Sequence, residues 1–123
     1  PDASQALNHG ASRMNVNTDV RNGTVIIQPM GDVDLASSPL LRTHLKEAQQ
    51  EASGGMIIDL SKVNYMDSSG VATLVECLQS TRNNGMSLQL CQLNERVLSV
   101  FQIARLDGVF DIVSTVDDAL AAS

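Results

Sequence analysis

Aromatic residues are almost missing from this sequence, which has no tryptophan, one tyrosine and two phenylalanines among its 123 residues. Proteins that bind single-stranded nucleic acid commonly stack bases on aromatic side chains, so the scarcity argues against that class of function. Basic residues are also few, eight against fourteen acidic ones, which gives a net charge of -6 at pH 7. Because an acidic surface repels phosphate backbones and anionic lipids, we expect neither a nucleic-acid partner nor a membrane partner.

Long apolar segments and cysteine clusters are missing as well. No run approaches the roughly 18 apolar residues that cross a bilayer, and residues 1–17 lack the order of a secretory signal. The two cysteines, Cys77 and Cys91, lie inside apolar periodic segments and have no metal-ligand spacing. These features predict buried, reduced thiols in a cytoplasmic protein, with no metal site and no cofactor.

The residues that are present suit one globular domain with an aliphatic core, since 43% of the chain is hydrophobic. Residues 1–13 are polar and aperiodic, which favours a flexible arm or a vector remnant ahead of a domain over 14–123. Residues 14–20 alternate as an edge strand does, and Asn22-Gly23 predicts a hairpin with a second strand over 24–30.

Strands and helices alternate after that hairpin. A helix is predicted from Ser37 or Ser38, either of which can act as N-cap before Pro39, and later helices from Asp67, from Asn94 or Glu95, and from Thr115. Strands are predicted over 56–60, 86–90 and 110–113. The fold class is therefore α/β: one domain whose mixed central sheet has four to five strands, with about four helices.

Apolar residues recur at helical spacing and predict which helix faces are buried. In the first helix they are Leu41, Leu45, Ala48 and Ala52. In the second they are Val71, Leu74, Val75 and Leu78, which leaves Thr73, Glu76 and Ser80 to face away from the core. In the third they are Val97, Val100, Phe101 and Ala104.

The segment Asp67-Ser68-Ser69-Gly70 carries the functional hypothesis, because it places two hydroxyls at a helix start where free N–H groups project outward. One interpretation is that Asp67 or Ser68 is simply an N-cap. The other is a phosphorylation switch at Ser69, with Gly70 leaving the approach open because it adds no side chain. A nucleophilic serine is disfavoured because the Gly-x-Ser-x-Gly elbow is missing, so no catalytic residue is expected.

Three stretches resemble the STAS-domain anti-sigma-factor antagonists: residues 59–70 (DLSKVNYMDSSG), 31–34 (GDVD) and 97–112 (VLSVFQIARLDGVFDI). The resemblance covers roughly residues 14–121 in matching order and implies a STAS-like fold. It also implies a protein that is not an enzyme and that binds an anti-sigma factor that is an ATP-dependent serine kinase. Phosphorylation of Ser69, with Ser68 as the secondary candidate, would end that binding, and a metal-dependent serine phosphatase would restore it.

The resemblance further implies partner contacts by Asp34 and, to a lesser extent, Asp32, beside Asp67, Ser68 and Gly70. The alternative is that Asp32 and Asp34 are only solvated loop carboxylates. Met66 fits either the core or the interface. Two other functions stay open: a STAS module that regulates secretion, biofilm formation or a stress pathway, and a nucleotide or lipid sensor whose site is near Asp34 and Ser69.

Overall fold

A computed structural model describes residues 15–122, in which five strands form one mixed sheet in the order β1-β2-β3-β4-β5. The predicted α/β class, the hairpin and the four helices are confirmed, and most predicted bounds agree to within a residue or two. The predicted arm at residues 1–13 lies outside the described residues. The elements are β1 Asn15–Arg21, β2 Thr24–Met30, α1 Ser38–Glu51, β3 Gly55–Asp59, α2 Ser68–Asn83, β4 Ser87–Cys91, α3 Glu95–Ile103, β5 Asp111–Val113 and α4 Val116–Ala122.

The first two strands form the predicted hairpin. β1 and β2 pair antiparallel, with Arg21 opposite Thr24, so the turn has two residues. Asn22 and Gly23 both have positive φ, 53° and 84°, as a type I′ turn requires. The pairs β2–β3, β3–β4 and β4–β5 are all parallel. Parallel neighbours need long crossover connections, which α1, α2 and α3 supply here.

The sheet is covered on both faces, but unequally. The main core contains one set of alternating strand residues packed with α1, α2 and α3. On the opposite face, a smaller cluster joins Ile26, Ile57 and Cys91 to Ala119 of α4. All five residues of β3 are buried, which explains its nearly continuous apolar run, whereas β1 is exposed at six of its seven positions.

Thr73, Glu76 and Ser80 of α2 were predicted to face away from the core; the structure confirms this for exposed Glu76 and corrects it for Thr73. Thr73 is only 1% exposed. Glu76 accepts two hydrogen bonds from Arg42, at 3.0 and 3.1 Å, and the Ser80 hydroxyl accepts one from Gln49 at 2.9 Å. The face lies beside α1, because the two crossover helices are neighbours on the sheet, but the Glu76 side chain keeps 52% of its surface exposed.

The predicted apolar stripe of α3 ends one position too late. Ala104 is exposed because the helix ends at Ile103 and the chain turns at Arg105, whose φ is +61°. The N–H groups of Arg105 and Leu106 donate to the carbonyls of Gln102 and Phe101, which is the pattern of a Schellman cap. Leu106 packs against the core in place of Ala104.

Both cysteines are free and buried, as predicted. Burial raises the pKa of the Cys77 thiol to about 11. Burial, helped by the charge of Asp59, raises the pKa of Cys91 to about 12. Among the helices of residues 15–122, none combines the length and apolar character that crossing a membrane demands.

Candidate functional site

The start of α2 is organised by Asp67, which is its N-cap residue. The Asp67 Oδ1 atom accepts hydrogen bonds from the backbone N–H of Ser69 at 2.9 Å and of Gly70 at 3.4 Å. The Ser69 hydroxyl donates to the same oxygen at 2.6 Å. The N-cap interpretation is therefore confirmed for Asp67 and not for Ser68, and the cap directly holds the side chain of the candidate phosphorylation site.

These contacts also fix the charge of Asp67. The hydroxyl of Ser69 is the main cause that lowers the pKa of this carboxyl below its ordinary value of 3.8, and burial opposes it. The backbone N–H groups of Ser69, Gly70 and Leu35 lower the pKa further. A carboxyl with a lowered pKa is ionised at neutral pH, so a full negative charge lies beside the Ser69 hydroxyl.

The loop after β2 is tied to the loop after β3 by a short parallel bridge between Val33 and Met66. The N–H of Val33 donates to the carbonyl of Tyr65 at 2.9 Å, and the N–H of Asp67 donates to the carbonyl of Val33 at 3.0 Å. Both loops leave the carboxyl ends of neighbouring parallel strands. The structure therefore brings the loop that contains Asp34 next to the start of α2.

Gly70 has a different role from the one predicted. It is buried, and a Cβ atom there would lie 2.6 Å from Val33 Cγ1 and 2.7 Å from Met66 Cγ. Val33 and Met66 are 0% and 1% exposed, which places Met66 in the core. Gly70 therefore allows the two loops to pack against each other, and the prediction that it keeps the approach to Ser69 open is wrong.

The predicted contact carboxylates, Asp32 and Asp34, differ in their surroundings. Asp34 is half-buried, and its Oδ1 accepts from the N–H groups of Ala36 and Ser37, both at 3.0 Å. Ser37 holds the N-cap position of α1 but makes no side-chain cap; its hydroxyl instead donates to the Asp32 carbonyl at 2.8 Å. Asp32 is exposed. Thus Asp34 shapes the loop before α1, the N-cap position is Ser37 as predicted but without the side-chain bond expected of a cap, and the Asp32 carboxylate faces solvent.

The two serines are unequally accessible. Ser68 is exposed, and Ser69 is half-buried with its hydroxyl directed at Asp67. Two large apolar residues beside them are also exposed, Leu35 at 78% and Tyr65 at 43%. Sequence reasoning missed both, because nothing in the sequence distinguishes exposed Leu35 from buried Val33 in the same loop. In the described part of the chain, no cluster of three or more His, Cys, Asp or Glu side chains is arranged to hold a metal ion.

Comparison with known proteins agrees with this architecture. The model of the STAS domain family matches residues 15–119. The chain belongs to the STAS domain family. The anti-sigma-B factor antagonist of Bacillus subtilis (strain 168) is 35% identical over 101 residues, which cover 80% of this chain and 92% of that protein.

Solved structures show the same fold at lower identity. An anti-sigma factor antagonist from Mycobacterium paratuberculosis matches with a TM-score of 0.82 at 20% identity, over 89% of this chain and 93% of that chain. The Bacillus cell fate determinant SpoIIAA in its phosphorylated form matches with a TM-score of 0.67 at 22% identity, over 88% of this chain and 98% of that chain. The predicted STAS-like fold is confirmed by these matches.

Proposed function

We propose that this STAS domain is an anti-sigma-factor antagonist that binds an anti-sigma factor with serine-kinase activity while Ser69 is unphosphorylated. Phosphorylation of Ser69 ends the binding. The observation that carries the proposal is the 2.6 Å hydrogen bond from the Ser69 hydroxyl to the ionised Asp67, at a surface where two loops meet. The similarity to an anti-sigma-B factor antagonist supports the same role.

Phosphorylation changes this contact from attractive to repulsive. The Ser69 oxygen loses its proton, so it no longer donates to Asp67, and the phosphate adds a charge of about -1.5 to -2 at pH 7. In the free protein, water screens the repulsion, and the start of a helix tolerates an anion. The fold is therefore retained after phosphorylation.

The penalty falls on the complex, where water is excluded. A dianion beside Asp67 would have to be buried without a partner at the interface, which costs about 2–5 kcal/mol. That free energy corresponds to a loss of affinity of roughly 30-fold to several-thousand-fold. A change of this size acts as a switch without any large movement of the backbone.

The contacts of Ser69 also define what the kinase must do. The Ser69 hydroxyl donates a hydrogen bond to a carboxylate but keeps its oxygen lone pairs for attack on ATP, so the side chain has to rotate away from Asp67 only if the kinase's own catalytic base is to take the hydroxyl proton. Breaking a hydrogen bond to a charged group costs about 1.5–3 kcal/mol, which contacts with the kinase can supply. Ser68 is more accessible, but it stays the secondary candidate for phosphorylation because the resemblance to the antagonist family points to the serine directly before Gly70.

The remaining parts of the proposal concern the partners and their contacts. Exposed Asp32 is suited to an ion pair with the anti-sigma factor, whereas Asp34 contributes mainly by holding the loop in shape. A metal-dependent serine phosphatase would remove the phosphate from Ser69. The STAS domain is substrate and ligand in both reactions and supplies no catalytic residue. The cycle belongs in the cytoplasm, where ATP and sigma factors are found.

The experiment uses every anti-sigma factor with a serine-kinase domain that the same genome encodes. Each is purified and incubated with the STAS domain and Mg-ATP, and phosphopeptides are mapped by mass spectrometry. We expect one added phosphate, on Ser69, that is lost in Ser69→Ala and retained in the neighbouring control Ser68→Ala. No phosphorylation by any of these kinases, or phosphate on other residues only, would contradict the proposal.

Binding provides the second readout. In the presence of ATP, Ser69→Ala should stay bound to the kinase, because it cannot be phosphorylated, while Ser69→Glu should bind poorly because it places a carboxylate beside Asp67. Equal binding of the two variants in a pull-down would refute the switch.

A further inference from the structure

The surface around Ser69 displays two large apolar side chains that fold stability does not require. Leu35 is 78% exposed and Tyr65 is 43% exposed. Both lie close to Ser69: the N–H of Leu35 is near enough to the Asp67 carboxylate to help lower its pKa, and the carbonyl of Tyr65 accepts a hydrogen bond from the N–H of Val33. They therefore lie next to the bridge that joins the two loops.

The backbone explains why Tyr65 points outward. Val33 and Met66 pair as a short parallel bridge and direct their side chains into the core. Because successive side chains of extended backbone point to opposite sides, Tyr65 is directed toward solvent. Since hydrogen bonds fix the backbone on both loops, a partner that covers these side chains loses little affinity to ordering them.

Charge indicates the chemistry of that partner. The two loops, residues 31–37 and 61–70, carry three carboxylates and one ammonium group: Asp32, Asp34, Asp67 and Lys62. A partner surface that combines apolar pockets with a rim of arginine or lysine complements this pattern.

We propose that Leu35 and Tyr65 are the apolar anchors by which the STAS domain holds the anti-sigma factor, which receives them in apolar pockets with a basic rim. This inference rests on the proposed function and assigns binding and its regulation to different residues. The anchors provide affinity, whereas the phosphate on Ser69 removes it. Interface hot spots are typically a few large side chains of this kind surrounded by contacts that matter less.

The chain contains matched controls for both anchors. Ile103, at the end of α3, is 84% exposed, and Val109 is 41% exposed. The carbonyl of Val109 accepts a hydrogen bond from Arg82 near the end of α2. Arg82 is 13 residues along α2 from Ser69, which at the rise of an α-helix is about 20 Å. Val109 therefore lies outside the surface around Ser69, and Ile103 is at the opposite end of α3 from Asn94, whose side chain donates to the Val63 carbonyl in the loop 61–70.

The test compares four alanine variants by isothermal titration against the anti-sigma factor that phosphorylates the wild-type STAS domain. We expect Leu35→Ala and Tyr65→Ala each to raise Kd by about 10-fold to 30-fold. Ile103→Ala and Val109→Ala should change it by no more than about 2-fold. Thermal unfolding should show little change in all four variants, since the substituted side chains are exposed.

Phosphorylation kinetics give an independent readout. If the anchors supply binding that is equal in the ground state and in the transition state, both anchor variants should raise KM for phosphorylation of Ser69 and leave kcat unchanged. Anchor variants that match their controls in Kd and KM would overturn the inference while leaving the proposed function intact. The same holds if sedimentation shows a homodimer that depends on Leu35 while the titrations do not change. A wild-type domain that neither binds nor is phosphorylated would instead refute the proposed function itself.

Discussion

Replacement of Gly70 by alanine is the sharpest structural perturbation of the site. The new Cβ would lie 2.6 Å from Val33 Cγ1 and 2.7 Å from Met66 Cγ, well inside the usual carbon–carbon contact of about 3.5–4.0 Å. Both neighbours belong to the core, so neither can move into solvent. The loop that contains Val33 must therefore shift away from the start of α2.

The size of the effect follows from two opposing contributions. Forcing an extra methyl group into a packed core typically costs about 1–3 kcal/mol. Alanine in place of glycine in a helix recovers at most about 1 kcal/mol, and less in the first turn. We therefore expect Gly70→Ala to lower the free energy of unfolding by about 1–2 kcal/mol, which lowers Tm by roughly 3–10 °C for a domain of this size.

Glycines elsewhere provide the controls. At Gly54 and Gly108 an added methyl group would have no atom within 4 Å, and neither residue has a positive φ, so alanine there should leave stability unchanged or raise it slightly. Unfolding in urea and by heat measures the difference from Gly70→Ala. Combining Gly70→Ala with Val33→Ala removes the clashing Cγ1 atom, so the two losses should be less than additive. If Gly70→Ala matches the control variants in both stability and partner affinity, the packing argument is wrong.

Two further predictions concern titratable groups. Hydrogen bonds hold the pKa of Asp67 in the folded protein below 3.8, its ordinary value. The ionised side chain therefore stabilises the fold fully above pH 3.8, and this stabilisation is lost as the pH falls through the lower pKa of the folded protein. Asp67→Ala should therefore lower the free energy of unfolding by about 0.5–2 kcal/mol at neutral pH. In urea titrations, the difference in unfolding free energy between this variant and the wild type should become smaller in acid. A difference that does not change with pH would contradict this prediction. Burial raises the pKa values of Cys77 and Cys91 to about 11 and about 12. Iodoacetamide at pH 7, with alkylation measured by mass spectrometry, should therefore modify these thiols only after the protein unfolds. Rapid alkylation of the native protein would contradict this prediction.

The parts of the fold that local chemistry determines were predictable from the sequence. Asn22-Gly23 strongly favours a tight hairpin turn, because both residues readily adopt positive φ. The nearly continuous apolar run of β3 is typical of a strand that is covered on both faces of the sheet. The start of α2 was predictable for the same reason, because a side chain that caps a helix lies next to it in sequence.

Features that depend on distant neighbours were not predictable. The polarity of Thr73 suggested a solvated face, but that face packs against α1, which lies more than twenty positions earlier in the chain. Likewise, the role of Gly70 depends on Val33, and the loop before α1 is held by Asp34 where a serine cap was expected. In each case the residue type was informative and its tertiary contact was missing from the sequence.

The affinity of the anti-sigma factor for two forms of the same protein tests the central claim most directly. One form carries an unmodified Ser69 and the other carries phosphoserine at that position, and both are titrated under identical salt and pH. We predict that phosphorylation raises Kd by roughly 30-fold to several-thousand-fold while the thermal unfolding curve stays that of a folded domain. Equal dissociation constants, or a phosphorylated form that has lost its fold, would contradict it.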